Sequence, residues 1–181
     1  KKGWISMGSQ VAQLEKKIEK YIGVKYAILF NNGTSALHAA LSYYGVKKGD
    51  EVIVPSLTFT STAEVVRYLG ADVKLVDVSP ITLNIDIKAI RNAITSKTKA
   101  IIAVNIFGQP ADLKNLSKIC KKHNLYLIED NSQAPFALCD GEYTGTIGDI
   151  GTTSFFPSKN LGCYGDGGAI FTNSDDLALK I

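Results

Sequence analysis

The run Thr153 to Asn173, TSFFPSKNLGCYGDGGAIFTN, sets a single lysine, Lys159, between aromatic residues and a cluster of glycines. Most lysines are solvated surface groups. An amine held in a crowded, partly desolvated pocket instead has a lowered pKa and acts as a nucleophile toward a carbonyl. Pro157 and Gly162 crowd this lysine, and Ser154 lies shortly before it.

Three other stretches offer matching chemistry. In LIEDNSQA, Asp130 ends an apolar segment and Gln133 follows close enough to share a ligand. A carboxylate there is costly unless it meets a positive or proton-bearing partner, although capping a helix or closing a structural ion pair is the plainer role. In NNGTSALHAAL, Gly33, Thr34 and Ser35 open a helical pattern. Free N–H groups, a hydroxyl and a missing Cβ suit a phosphate there, and a simple N-cap by Thr34 or Ser35 is the competing reading. No Walker lysine follows, which argues against a P-loop. In PSLTFTST, Phe59 is either a core residue, the common fate of phenylalanine, or a stacking surface for a planar ligand.

The elements that must position these residues alternate in type. Short Val- and Ile-rich runs read as strands at 26–30, 51–55, 73–78, 100–106 and 125–130, separated by helical patterns at 35–44, 61–69, 87–94 and 111–123. An earlier amphipathic helix carries Val11, Leu14, Ile18, Tyr21 and Ile22 on its core face, with Ser9 as N-cap and Gly23 as its stop. Near-continuous apolar strands joined by helices predict an α/β fold, a three-layer sandwich around a mainly parallel sheet of about seven strands. After Asp149, GTTSFF and GAIFTN read as two more strands without a helix between them, so one of them runs antiparallel. In such a sheet ligands gather at the carboxyl ends of the strands, where all four candidate stretches fall. An anion cradle, an aromatic face, an aspartate and a lysine together meet the needs of pyridoxal phosphate (PLP).

These stretches, with GVKKGDEVIVPSLTFTST, GADVKLVDV and TKAIIAVNIFGQPADL in order between them, resemble the DegT-type sugar-nucleotide aminotransferases, fold type I PLP enzymes, from about Val11 to the end. The resemblance implies that Lys159 holds the cofactor aldehyde covalently and later moves protons. It also implies that Asp130 pairs with the pyridinium nitrogen, Gln133 bonds near the ring hydroxyl, and Phe59 stacks on the ring. Ser154 and the Gly33-Thr34-Ser35 turn then hold the phosphate. The implied reaction carries nitrogen from an amino donor, glutamate in most of the family, to a keto sugar linked to a nucleotide diphosphate. FFPSKNLGCYGDGGA is most similar to the subgroup acting on 3-keto sugars for bacterial surface polysaccharides. Pro135 and Phe136 depart from the His-Gly often found after the Gln-Ala pair. Family members are longer, which implies a missing C-terminal small domain, and their site lies at a homodimer interface. Two alternatives stand beside this reading. One is a PLP-dependent sugar dehydratase, a group that carries histidine in place of the lysine; the other is a non-catalytic ligand-binding homologue.

Composition narrows the field further. A net charge of +3 spread along 181 residues, without a basic stripe beyond Lys121-Lys122-His123, argues against nucleic-acid binding. Three cysteines, Cys120, Cys139 and Cys163, have neither CxxC nor zinc-type spacing, so no metal site is expected and a reducing cytoplasmic setting fits. The apolar run Ala100 to Val104 is too short to span a bilayer, and KKGWISMGSQ lacks the apolar core of a signal peptide. A start without Met and an end inside a helical pattern are expected of part of a longer polypeptide.

Overall fold

The computed structural model describes residues 7–181. The reading of a leader falls largely on residues 1–6, which lie outside those described. One sheet runs in the order β1 (Tyr26–Phe30), β9 (Gly168–Thr172), β8 (Ile150–Ser154), β5 (Tyr126–Asp130), β4 (Thr98–Val104), β2 (Glu51–Pro55) and β3 (Asp72–Val76). All neighbours pair in parallel except β9, which runs antiparallel to both β1 and β8.

Side chains alternate across the sheet, and both faces are apolar. On β4, Ala100, Ile102 and Val104 face a layer formed by α2 (Gly33–Tyr43), α3 (Ser61–Tyr68) and α6 (Asp175–Lys180). Ile101 and Ala103 face α4 (Ile87–Ala93) and α5 (Leu113–His123) on the other side. Also on that side, α1 (Ser9–Ile22) covers β1 and β9. Burial on both faces explains why these strands read as unbroken apolar runs rather than alternating ones. Each fully buried Ile or Leu contributes roughly 1.5–3 kcal/mol.

Local signals set most boundaries. Asp112 caps α5 by accepting the Asn115 N–H, and Lys121, Lys122 and His123 occupy its last turn, where positive charge suits the helix dipole. The basic group is therefore a helix ending. At α1 the expectation fails in two places. Gly8, not Ser9, is the N-cap, without a side-chain hydrogen bond, and Leu14 and Tyr21 are exposed while only Ile18 and Ile22 are buried. The helix packs through its last turns because its earlier face does other work. Glu15 and Glu19 accept the outward N–H groups of Leu29 and Ala27, covering the free edge of β1.

The sequence reading assigns no element to 138–143, yet Leu138–Cys139 (β6) and Glu142–Tyr143 (β7) form a small hairpin. Its turn is Asp140-Gly141 with φ of 51° and 87°. An Asp-Gly pair is well suited to a tight turn needing two positive φ values.

Candidate active site

The carboxyl ends of β1, β2, β4, β5 and β8 open onto one cavity of about 400 Å³. Each candidate residue arrives there by a different local device. Lys159 sits on the connection between β8 and β9. That loop is fastened by backbone bonds from Phe155 N–H to Gly167 O and from Cys163 N–H to Phe155 O, while Phe155 itself is buried under α1. A Cβ on Gly162 would stand 2.5 Å from Pro157 O, so the turn around the lysine closes only with glycine there. The Lys159 Nζ donates to Gln133 Oε1 at 3.2 Å.

Asp130 is 5% exposed. Its Oδ1 accepts the Ser132 N–H at 3.1 Å and its Oδ2 accepts the Thr62 hydroxyl at 3.3 Å. No ion pair among the described residues includes it. The structural salt bridge considered from sequence is thus absent within those residues, and a buried carboxylate is left with neutral donors alone.

The expectation that the strand ending in Asp130 is otherwise apolar fails at Glu129. Glu129, fully buried, points to the opposite face and accepts the N–H groups of Gly145, Ile147 and Gly148 at 2.6–2.7 Å. Burial pushes its carboxyl above the ordinary range, against the pull of those three donors. It ties the turn entering β8 to β5. The two adjacent acids therefore differ in role: Asp130 faces the cavity and Glu129 holds the scaffold beneath it.

At the start of α2 the cap is Asn32, whose Oδ1 accepts the Ser35 N–H at 2.7 Å, and neither Thr34 nor Ser35 serves as cap. Ser35 lies off the cavity wall, whereas Gly33 and Thr34 line it together with Ser154. The N–H groups of Gly33 and Thr34, in the first turn of α2, have no acceptor within the helix. A Cβ on Gly33 would be 2.8 Å from Ser154 Cβ, and one on Gly168 would be 2.5 Å from Asn32 C. The helix start is thus pressed between β8 and β9, leaving a concave rim of backbone donors and the Ser154 hydroxyl.

Phe59 is 71% exposed at the cavity mouth, so the core reading of this residue falls. Phe136 turns away instead, edge-on to Tyr21 with ring centroids 4.9 Å apart and a φ of 66°. Positive φ favours glycine. Sequence reasoning missed Asn32, Thr58, Ser132 and Asp166 on the wall and Thr62 just behind it. The i, i+4 spacing of Thr58 and Thr62 at a helix start was the available signal for the last pair.

The profile of the DegT/DnrJ/EryC1/StrS aminotransferase family matches residues 1–181. The chain is 45% identical over 179 residues to a UDP-2-acetamido-2-deoxy-3-oxo-D-glucuronate aminotransferase of Pseudomonas aeruginosa, covering 99% of this chain and 50% of that protein. Among solved structures, a DegT DnrJ EryC1 StrS aminotransferase from Brucella abortus superposes with a TM-score of 0.93 at 42% identity, over 95% of this chain and 48% of that one. The E. coli GDP-4-keto-6-deoxy-D-mannose-3-dehydratase with bound hydrated PLP superposes with a TM-score of 0.89 at 34% identity, over 94% and 45%. The chain spans about half the length of the curated relatives it matches. By sequence along its whole length and by fold, it belongs to the DegT/DnrJ/EryC1/StrS aminotransferase family.

Proposed function

We propose that the cavity binds PLP and serves transamination of a nucleotide-linked keto sugar. The observation that carries this is the meeting of Lys159, Gln133 and a buried Asp130, without an ion pair among the described residues, in one cavity with the open helix start at Gly33 and Thr34. The donor set fits the group. A carboxylate with only neutral partners suits a protonated ring nitrogen, a rim of N–H groups and a serine hydroxyl suits a phosphate, and Phe59 offers an exposed face for a ring.

When bound, PLP supplies an aldehyde for the amine and an electron sink for the carbanion. Lys159 would hold that aldehyde and, once released, move a proton between substrate and cofactor carbons. Gln133, already bonded to Lys159 Nζ, orients the amine and reaches toward the ring hydroxyl. Asp130 keeps the ring nitrogen protonated. Gly33, Thr34 and Ser154 hold the phosphate, and the resemblance adds Ser35 to that turn.

The amino donor on this reading is glutamate. The 3-oxo sugar in the name of the Pseudomonas relative supports a 3-keto hexose, in surface-polysaccharide synthesis. The chain is read as the PLP-binding large domain of a longer protein with a small C-terminal domain, supported by relatives of twice its length, and the resemblance extends that reading to a cytoplasmic homodimer. No described helix is long and apolar enough to cross a membrane. Lys159 speaks against the dehydratase alternative, and the intact donor set speaks against a degenerate binding module.

Borohydride reduction in the presence of PLP tests this. One pyridoxyl group on Lys159, absent in Lys159→Ala together with amine transfer, is the expected result. A Lys159→Ala protein with full transamination would overturn the reading.

A further inference from the structure

A hydroxyl chain runs from the cavity wall to Asp130. Thr58 lines the cavity, its Oγ1 lies 2.8 Å from Thr62 Oγ1, and Thr62, fully buried at the start of α3, reaches Asp130 Oδ2 at 3.3 Å. Hydrogen bonds alone leave the direction between the two threonines open, but proton counting fixes it. An ionised carboxylate only accepts, so the single Thr62 proton goes to Asp130. The Thr62 oxygen then needs a donor, and Thr58 has one proton to give. Both dipoles point toward the carboxylate.

We infer that Thr62, supported by Thr58, is a positioning residue that holds the Asp130 carboxylate toward the cavity through this aligned pair of hydroxyls. The inference rests on the PLP reading of the cavity and adds two residues to it. The remaining partner of Asp130, the Ser132 N–H, belongs to the turn directly after β5, so Thr62 is the tie between the acid and the α3 layer. The same short segment carries Phe59, so the side chain offered to the face of the ring and the one that steadies its nitrogen partner come from one helix entry. A second consequence concerns Thr58. With its proton committed to Thr62, its oxygen presents only lone pairs to the cavity and favours ligand N–H or O–H groups there.

Other titratable groups lining this cavity are Lys159 and Asp166, while Glu129 faces the opposite side of the sheet. Removing the Thr62 donor takes away one of the two hydrogen bonds that orient the Asp130 carboxylate and so weakens its hold on the proton at the ring nitrogen. Loss of a hydrogen bond to a charged group at this length moves that proton distribution by roughly tenfold.

The test uses the full-length protein loaded with PLP labelled with ¹⁵N in the ring, read by the nitrogen chemical shift and by the pH midpoint of the cofactor absorbance. In Thr62→Val the shift should move toward the neutral ring and the midpoint by about one pH unit, with the pyridoxyl group still forming on Lys159. Thr62→Ser should restore both readouts. Thr58→Val should move them in the same direction by less, and it decides the matter if Thr62→Val does not fold. Wild-type shift and midpoint in the folded valine variants, with cofactor on Lys159, would overturn the relay alone. No pyridoxyl group on Lys159 in the wild type overturns the cofactor reading, and the relay with it.

Discussion

Replacing Gly33 by alanine probes how far the candidate site depends on backbone contact. The added Cβ would sit 2.8 Å from Ser154 Cβ, where ordinary contact begins at 3.4 Å, so the helix start must retreat by the difference, 0.6 Å. The helix start lies equally close on the neighbouring strand, where a Cβ on Gly168 would stand 2.5 Å from Asn32 C. Overpacking of this kind costs about 1–3 kcal/mol. The reduced freedom of the unfolded chain returns roughly 0.4–1 kcal/mol. The net loss, about 0–2.6 kcal/mol, lowers Tm by up to about 10 °C in a chain of this size. On the proposed reading of the cavity, the same retreat pulls two N–H donors away from the cofactor phosphate. Losing one charge-assisted bond weakens PLP binding by roughly ten- to a hundredfold. Thermal melts without cofactor and fluorescence titration with PLP separate the two effects. The Ser35 side chain lies off the wall, so Ser35→Ala should weaken binding less than Gly33→Ala does. A Gly33→Ala protein that melts and binds like wild type would refute the argument that this glycine exists for close approach.

The geometry carries three further outcomes. Burial holds the folded Glu129 carboxyl above its ordinary range, so folding favours its protonated form. Its contribution is fully present below the ordinary glutamate value near roughly pH 4 and is lost as pH rises through the elevated one. Urea unfolding across that window should show this slope in wild type but not in Glu129→Gln, and parallel profiles would contradict it. Exposed Cys163 should alkylate well before Cys120, which is buried with its thiol pushed up to about 12, as peptide mapping after iodoacetamide would report. Asp112→Ala removes the α5 cap and should cost about 0.5–2 kcal/mol, with a melt unchanged from wild type as the contrary result.

Much of this was legible because the fold places its chemistry where strands end. Each apolar run from Tyr26 to Asp130 marks a strand, and the residues at or just past the strand ends include Gly33, Phe59 and Asp130. Periodicity locates elements but does not say which polar residue serves which face. Glu129 and Asp130 are neighbours of the same type, and only the pleat of β5 sends one to the cavity and the other to the Gly145–Gly148 turn. Capping is similarly local: Asn32 outcompeted Thr34 and Ser35 because its side chain stands one position before the helix, where it can reach the Ser35 N–H. Thr62 was hidden for another reason. A buried hydroxyl in a helix looks like ordinary packing until its acceptor, far away in sequence, is known. Phe59 escaped the usual fate of phenylalanine because it precedes the helix and projects at the cavity mouth.

The pairing of β1 with β9 has a consequence for the order in which the protein comes together. Phe30 is in register with Gly168, so the strand that leads into the helix start at Gly33 meets its neighbour only about 140 residues later. The loop carrying Lys159 is strung between β8 and that same late strand. During synthesis, β2 to β5 can pair with one another, yet the two halves of the candidate site stay apart until residue 172 is available. Such long-range closure is intrinsically slow. Until then β1 waits under α1, whose Glu15 and Glu19 occupy its outer edge, leaving the inner edge for β9 to fill.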